Sequence, residues 1–153
     1  LLPRRFELTY IDNKGEKQVP VVIHRAILGT FDRFTAFLIE ETKGAFPTWL
    51  APVQVNIIPV NNEHHLAYAK EIYNELSKDS IRVELDDRDE KVGYRMRESV
   101  IKKHPYTLIL GQKEIDNQLI SYRKQGSEET ITVSKNEFIN SLKEEIKSKT
   151  SIL

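Results

Sequence analysis

Apolar and polar positions alternate near the start of the chain. Residues 6–10 place Phe6, Leu8 and Tyr10 on one side, which predicts a strand. Residues 19–28 are rich in β-branched and apolar side chains, and residues 12–15 between the two runs have turn chemistry. Together these segments predict a β-hairpin.

A helix is predicted after the hairpin. Thr30 is a suitable N-cap, because its hydroxyl can accept a hydrogen bond from a free amide of the first turn. Phe31, Phe34 and Leu38 follow at helical spacing, and Gly44 is suited to stop the helix.

Two prolines then interrupt the periodic pattern. Pro47 and Pro52 stand close together and forbid regular helix between them. We therefore place a domain boundary here, with residues 1–50 before it and residues 51–153 after it.

After this boundary the period of the pattern switches repeatedly. Strands are predicted at residues 53–60, 81–85, 106–110, 119–123 and 130–133, and helices at 63–78, 91–104 and from 135 onwards. Strands that alternate with helices indicate an α/β fold, here a mostly parallel, mixed five-stranded sheet flanked by helices, with an antiparallel edge. The β-hairpin and helix of residues 1–50 precede it.

Each of these helices has a predicted apolar face. The three faces are formed by Tyr68, Ile72 and Leu76; by Val92, Met96 and Val100; and by Phe138, Leu142 and Ile146. Ser134, with Glu137 three residues later, matches the capping box of the last helix.

Composition narrows the class of protein. Of the 153 residues, 39% are hydrophobic and 30% charged, which is typical of a soluble globular protein. The 23 basic and 23 acidic residues cancel, so bulk charge does not indicate a nucleic-acid-binding protein.

The chain has no cysteine, which excludes disulfides and Cys-based metal sites, and no apolar run is long enough for a membrane span. It has no initiator Met or signal pattern, so we expect it to begin inside a longer protein.

Several polar patches could carry chemistry. His24 ends a predicted strand and Arg33 lies in a first helical turn, which suits a metal ligand and a phosphate contact, or equally a core histidine and a surface arginine. His64 and His65 point apart on a helix, so we expect surface histidines there.

The largest polar patch extends from residue 86 to residue 103. Acidic and basic residues are mixed there, directly after a strand and at the start of a helix. Such mixed donors and acceptors suit single-stranded RNA, but a metal site or a helix surface with salt bridges also fits the pattern. Glu114 and Arg123 lie on turns near the expected edge of the sheet. The sequence has no Gly-rich phosphate loop and no nucleophile motif.

Long stretches of the chain resemble one family. Residues 21–34 (VVIHRAILGTFDRF) resemble the third signature motif of threonyl-tRNA synthetases, and residues 46–55 (FPTWLAPVQV) resemble the junction into their anticodon-binding domain. Residues 87–94, 97–98, 105–106 and 111–114 continue the likeness in order. Related synthetases for proline, glycine and histidine usually have glycine where this chain has Thr30.

The resemblance implies roles for the first part of the chain. Residues 1–50 are identified as the end of a class II catalytic domain, and residues 51–153 as an anticodon-binding domain. The position of His24 is one of three protein ligands of a zinc ion in that family, and the other two lie outside this sequence. Arg33 is expected to stack on the adenine of ATP, bound with Mg²⁺, and Gly29 and Thr30 to lie at the floor of the same ATP and threonine site.

The resemblance also implies which residues contact RNA. These are Asp89, Lys91, Arg97, Lys103, Glu114 and Arg123. The family often has Asn at position 89, and an ionised Asp can accept but not donate a hydrogen bond.

The function that follows is that of a threonine–tRNA ligase. The full enzyme is expected to activate threonine with ATP and to transfer it to threonine tRNA, whose anticodon loop this chain would bind. We expect a cytoplasmic homodimer without membrane contact, and no aminoacylation by this chain alone. The alternative is a non-catalytic RNA-binding module, regulatory or accessory, on the same fold.

Overall fold

The computed structural model describes residues 2–149, which divide between residues 37 and 38 into two compact units. Helices and strands are numbered along the chain. They are α1 (Leu2–Arg5), β1 (Tyr10–Ile11), β2 (Lys17–Gln18), α2 (Phe31–Thr42), β3 (Val55–Pro59), α3 (Asn62–Lys78), β4 (Val83–Leu85), α4 (Val92–Ile101), β5 (Tyr106–Leu110), α5 (Gln112–Asn117), β6 (Leu119–Lys124), β7 (Ile131–Ser134) and α6 (Lys135–Ser148).

The first unit contains a hairpin, as predicted, but its strands are shorter and lie at other positions: of the predicted strand 6–10, only Tyr10 belongs to β1. β1 and β2 are antiparallel and pair Tyr10 with Gln18. Residues 19–28, predicted as its second strand, form no strand, and Val21 and Ile23 are 89% and 86% exposed. Apolar side chains stabilise a strand only when something covers them, and no described residue covers these two.

Helix α2 begins and ends as the sequence predicts. Thr30 Oγ1 accepts a hydrogen bond from Arg33 N at 3.3 Å, which confirms the N-cap. The helix ends at Thr42, and Gly44 follows with a φ of +77°, a left-handed conformation that glycine adopts without strain.

The second unit contains the predicted five-stranded mixed sheet. Its strand order is β4-β3-β5-β6-β7. β3 pairs in parallel with β4 and β5, whereas β6 is antiparallel to both β5 and β7. The predicted antiparallel edge is thus confirmed.

The two faces of the sheet differ in polarity. Val55, Ile57 and Leu108 face α3 and α6 and lie in one buried apolar cluster. Asn56 and Thr107 alternate with them and face α4, where both lie within hydrogen-bond distance of Ser99. One side of the sheet is therefore an apolar core, and the other is joined to its helix by polar contacts.

The polar side of the sheet explains an error in the prediction for α4. The expected face of Val92, Met96 and Val100 is only partly right: Met96 is buried and Val92 half-buried, but Val100 is 64% exposed. Arg95 and Ser99 are buried beside Met96, since they find hydrogen-bond partners on the sheet. The predicted faces of α3 and α6 are confirmed by buried Ile72 and Leu142 and their neighbours.

The segment between the two prolines is fixed onto the second unit. Thr48 is buried, and its Oγ1 donates to Glu145 Oε1 at 2.5 Å. Arg82 donates to the carbonyl oxygens of Trp49 and Ala51, both at 2.9 Å. The compact units part at residue 37, so the domain boundary at residue 50 stays a prediction that rests on the sequence.

Candidate nucleic-acid interface

The loop between β4 and α4 is held by an arginine clamp. Asp86 is buried at the end of β4, and its carboxylate accepts from Arg88 Nε at 2.8 Å and from Arg88 Nη2 at 2.7 Å. Arg88 Nη2 also lies 2.5 Å from Glu98 Oε2 on α4. The Arg88 hydrogen bonds hold the pKa values of both carboxyls below their ordinary range, and both acids raise the pKa of the guanidinium.

The same loop is also held from α3. Asn62 Nδ2 donates to the carbonyl oxygen of Asp87 at 2.6 Å, and Asn61 caps α3 by accepting from Glu63 N at 2.7 Å. His65 was expected at the surface, but it is buried and its Nδ1 accepts from Asn61 N at 3.0 Å. The loop is thus anchored to two helices.

A polar cleft of about 300 Å³ opens at this edge of the sheet. Asp89 and Glu90 of the loop line it, together with Asn61, Asn62 and Arg95. It lies at the carboxyl ends of the parallel strands, where open α/β sheets usually bind their ligands.

Three of the predicted RNA contacts lie on the loop and on the helix that follows it. Asp89, Lys91 and Arg97 are all exposed, so their charged groups are available to a ligand. Lys91 is the N-cap position of α4, and Arg97 lies six residues, or about 1.7 helical turns, further on.

Glu114 has a structural role that its sequence position did not indicate. Its Oε2 accepts from Gly111 N at 2.9 Å and its Oε1 accepts from Ser121 Oγ at 2.7 Å, so it caps α5 and joins it to β6. Burial opposes ionisation, but these hydrogen bonds outweigh it and keep the pKa of the carboxyl below its ordinary value. Helix α5 was not predicted, because six residues are too few for a periodic signal.

Arg123 and Lys103 lie elsewhere on the second unit. Arg123 Nε donates to Thr130 Oγ1 at 2.9 Å, and its side chain lines a groove of about 590 Å³ with Met96 and Val100 of α4. Lys103 donates to the carbonyl oxygen of Lys43 beside a separate small cleft. The structure therefore brings Arg123 to the groove beside α4, whereas Lys103 lies apart from the others.

A buried hydrogen-bond network lies beneath α4. Ser99 Oγ is 2.9 Å from His104 Nδ1 and 2.6 Å from Thr107 Oγ1, and it accepts from Asn56 Nδ2 at 3.1 Å. Burial lowers the pKa of His104. The carboxylate of Glu84, whose Oε2 lies 3.7 Å from His104 Nε2, partly opposes this effect. Asn56 joins this network from a strand 43 residues away in sequence, and the sequence pattern gave no signal for that contact.

The predicted catalytic-domain residues lie in the first unit. His24, Gly29, Thr30 and Arg33 are all exposed there. Within residues 2–149, no three His, Asp or Glu side chains are grouped so that they could hold a metal ion. His24 alone does not make a zinc site. None of the described helices is long and apolar enough to cross a membrane.

Comparison with known families gives one match within the second unit. Residues 54–145 match the anticodon binding domain family. This match covers all five strands of the mixed sheet, from β3 to β7.

Individual relatives extend the likeness over almost the whole chain. A threonine–tRNA ligase of Staphylococcus saprophyticus is 56% identical over 149 residues, and one of Oceanobacillus iheyensis is 53% identical over 148. Each alignment covers 97% of this chain and 23% of the relative. The chain therefore spans about a quarter of the length of the relatives it matches.

A solved structure has the same fold. The RNA-binding domain of threonyl-tRNA synthetase from Cryptosporidium parvum Iowa II superposes with a TM-score of 0.79 and 29% sequence identity. The superposition covers 94% of this chain and 36% of the other.

Proposed function

This chain belongs to the anticodon-binding domain family and is homologous to the anticodon-binding region of threonine–tRNA ligases, and we propose that its second unit binds the anticodon loop of threonine tRNA. The observation that carries the proposal is the arrangement of Asp89, Lys91 and Arg97. They are exposed on one anchored loop and the helix that follows it. Donors and acceptors fixed in this way can bind the edges of unstacked bases.

The rigidity of the loop supports recognition of specific bases. Phosphate contacts tolerate a mobile lysine, but a hydrogen bond to a base edge requires a fixed backbone. Arg88 and Asn62 fix this backbone from within the loop and from α3. A cationic surface that bound only phosphates would gain nothing from two such anchors.

The proposal extends to the whole ligase. There, Arg33 would bind ATP with Mg²⁺, and Gly29 and Thr30 would lie beside the ATP and threonine. His24 would supply one of three zinc ligands, and the zinc would bind the hydroxyl of threonine, which isosteric valine lacks. We further propose that the ligase is a cytoplasmic homodimer. This chain alone, with one zinc ligand, should form no threonyl-tRNA.

A non-catalytic RNA-binding module is the less favoured alternative. It would need the second unit but would have no use for His24 and Arg33. The relatives with more than half of their aligned residues identical are named as ligases, which favours the first proposal.

The experiment is a titration of the protein with the anticodon stem-loop of threonine tRNA. A stem-loop of the same stem with a swapped anticodon is the control, and both are measured at low and moderate salt. Preference for the threonine anticodon at both salt concentrations supports the proposal. Equal and strongly salt-dependent binding to both would reduce the interaction to phosphate attraction and overturn it.

A further inference from the structure

Tyr94 presents an aromatic ring to solvent on the outer side of α4. Its side chain leaves the residue 46% exposed. All the other Phe, Tyr and Trp residues between positions 38 and 149 are buried or half-buried. Tyr94 does not belong to the buried apolar cluster of the second unit, so its ring is available to a ligand.

Two cations flank this ring along the helix. Lys91 precedes Tyr94 by three residues and Arg97 follows it by three, and both are exposed. Residues three apart lie on neighbouring positions of one helix face. The surface therefore presents a ring between two positive groups, which is the combination that single-stranded nucleic acid binds through its bases and its phosphates.

The ring is also held in place by a hydrogen bond to Glu98 and by the ion pairs that continue from it. Tyr94 Oη donates to Glu98 Oε1 at 3.3 Å. Glu98 Oε2 is bound by Arg88, which is itself bound by buried Asp86. A side chain on a solvent-exposed helix face usually samples several rotamers, and this tether reduces that freedom before a ligand arrives.

We propose that Tyr94 is a stacking platform for one unpaired base of the anticodon loop, and that Glu98 and Arg88 are positioning residues for its ring. This inference rests on the proposed function of the second unit and assigns a residue to it. A base that leaves the loop's own stack can recover stacking on the tyrosine face, while Lys91 and Arg97, three residues away on either side, remain free to bind the neighbouring nucleotides. Stacking depends little on base identity, so Tyr94 adds affinity and the polar loop adds selectivity.

The test compares Tyr94→Leu with Tyr94→Phe. Leucine removes the aromatic face, whereas phenylalanine keeps it and loses only the hydroxyl. Because the ring is outside the core, both variants should unfold at nearly the same temperature as the unmodified protein. We expect Tyr94→Leu to weaken binding of the threonine stem-loop by about tenfold, and Tyr94→Phe by no more than about threefold.

A fluorescent base gives a readout that a purely structural role would not change. A series of stem-loops carries 2-aminopurine at one loop position each, and stacking on a ring quenches its emission. One position should be quenched by the unmodified protein and by Tyr94→Phe, but not by saturating Tyr94→Leu. Equal quenching by all three proteins at every position would overturn the inference. Failure of the unmodified protein to bind either stem-loop overturns the proposed function as well, so the two failures are distinguishable.

A double-mutant cycle tests the positioning role. Glu98→Ala should weaken stem-loop binding more when Tyr94 is present than in the Tyr94→Leu background, because there is then no ring left to orient and only the Glu98 contact with Arg88 is lost. Equal losses in both backgrounds would show that Glu98 acts independently of Tyr94 and would overturn the positioning role.

Discussion

Arg95 Nη2 donates to the carbonyl oxygen of Pro59 at 2.8 Å. Through Nη1 the same guanidinium donates to the carbonyl oxygen of Asp86 at 2.7 Å. Pro59 ends β3, and Asp86 directly follows β4, the adjacent parallel strand. One buried side chain of α4 therefore joins the carboxyl ends of two strands at the edge that carries the candidate interface.

Arg95→Leu should destabilise the second unit strongly. The variant keeps an apolar stem but leaves two strand-end carbonyl groups without their donor. We expect the free energy of unfolding to fall by about 3 kcal/mol. Arg97→Leu on the exposed side of the same helix is the matched control and should change it by less than about 0.5 kcal/mol. Urea unfolding measures both, and similar values for the two variants would contradict the role assigned to Arg95.

Glu145 on α6 should contribute to stability through two hydrogen bonds. Its carboxylate accepts from Thr48 Oγ1 and from Tyr106 Oη, both at 2.5 Å. Glu145→Ala leaves two buried hydroxyls without this acceptor, so we expect a loss of about 2 kcal/mol in the free energy of unfolding. Glu144→Ala, at an exposed neighbouring position, should have almost no effect. A loss confined to Glu145→Ala would confirm that the junction segment is fixed by this contact.

Stability should fall between pH 7.5 and pH 5.5 because of His104. Burial lowers the pKa of His104 in the folded protein below its ordinary value of 6.5, so the unfolded chain binds the proton more readily. Stability is therefore full above the unfolded pKa and decreases as the pH falls through it towards the folded pKa. The lowered carboxyl pKa values of Asp86 and Glu98 have their effect at lower pH, outside this window.

His104→Gln is the variant that checks this assignment. Urea unfolding at pH 7.5, 6.5 and 5.5 gives the free energy of unfolding at each pH. This free energy should depend less on pH in the variant than in the unmodified protein. The substitution replaces the contact of Ser99 with the imidazole, so the variant should already be less stable at pH 7.5. The comparison therefore uses the slope of the free energy of unfolding against pH. Parallel slopes would show that other groups take up the protons.

The second unit was predictable because its elements follow from local patterns. Period-two and period-four spacing located the strands and the long helices, and the apolar faces of α3 and α6 were correct since they pack on an apolar sheet face. The face of α4 was not predictable from hydrophobicity. Arg95 and Ser99 are buried there by hydrogen bonds to β3 and β5, which periodicity does not detect.

The candidate interface was predictable in part. The exposed positions Asp89, Lys91 and Arg97 came from a family resemblance, and the structure places them on one loop and helix. The positioning contacts were not predictable, because Arg88 and Asn62 depend on partners in three-dimensional contact rather than on a motif. The opposite error occurs at residues 19–28, where the sequence predicts an element that the structure lacks. The apolar, β-branched pattern predicts a strand, but no described residue covers these side chains and no strand forms.

Asp89→Asn should increase the affinity for the threonine anticodon stem-loop. An ionised aspartate repels phosphates and can only accept hydrogen bonds, whereas the amide adds two donors in the same shape. One added hydrogen bond to a base is worth about 1 kcal/mol net, which is roughly a fivefold gain in affinity. Asp89 is exposed and lies on the anchored loop, so the change should not disturb the fold.

Glu90→Gln separates hydrogen bonding from charge. Glu90 is adjacent, exposed and lines the same cleft, and the change removes the same negative charge. If position 89 contacts a base, Asp89→Asn should improve binding of the threonine anticodon more than that of the swapped anticodon, at low and moderate salt alike. Glu90→Gln should improve both equally, and only at low salt, since screening removes a charge effect between exposed groups. Identical behaviour of the two variants would mean that position 89 acts through its charge and touches no base.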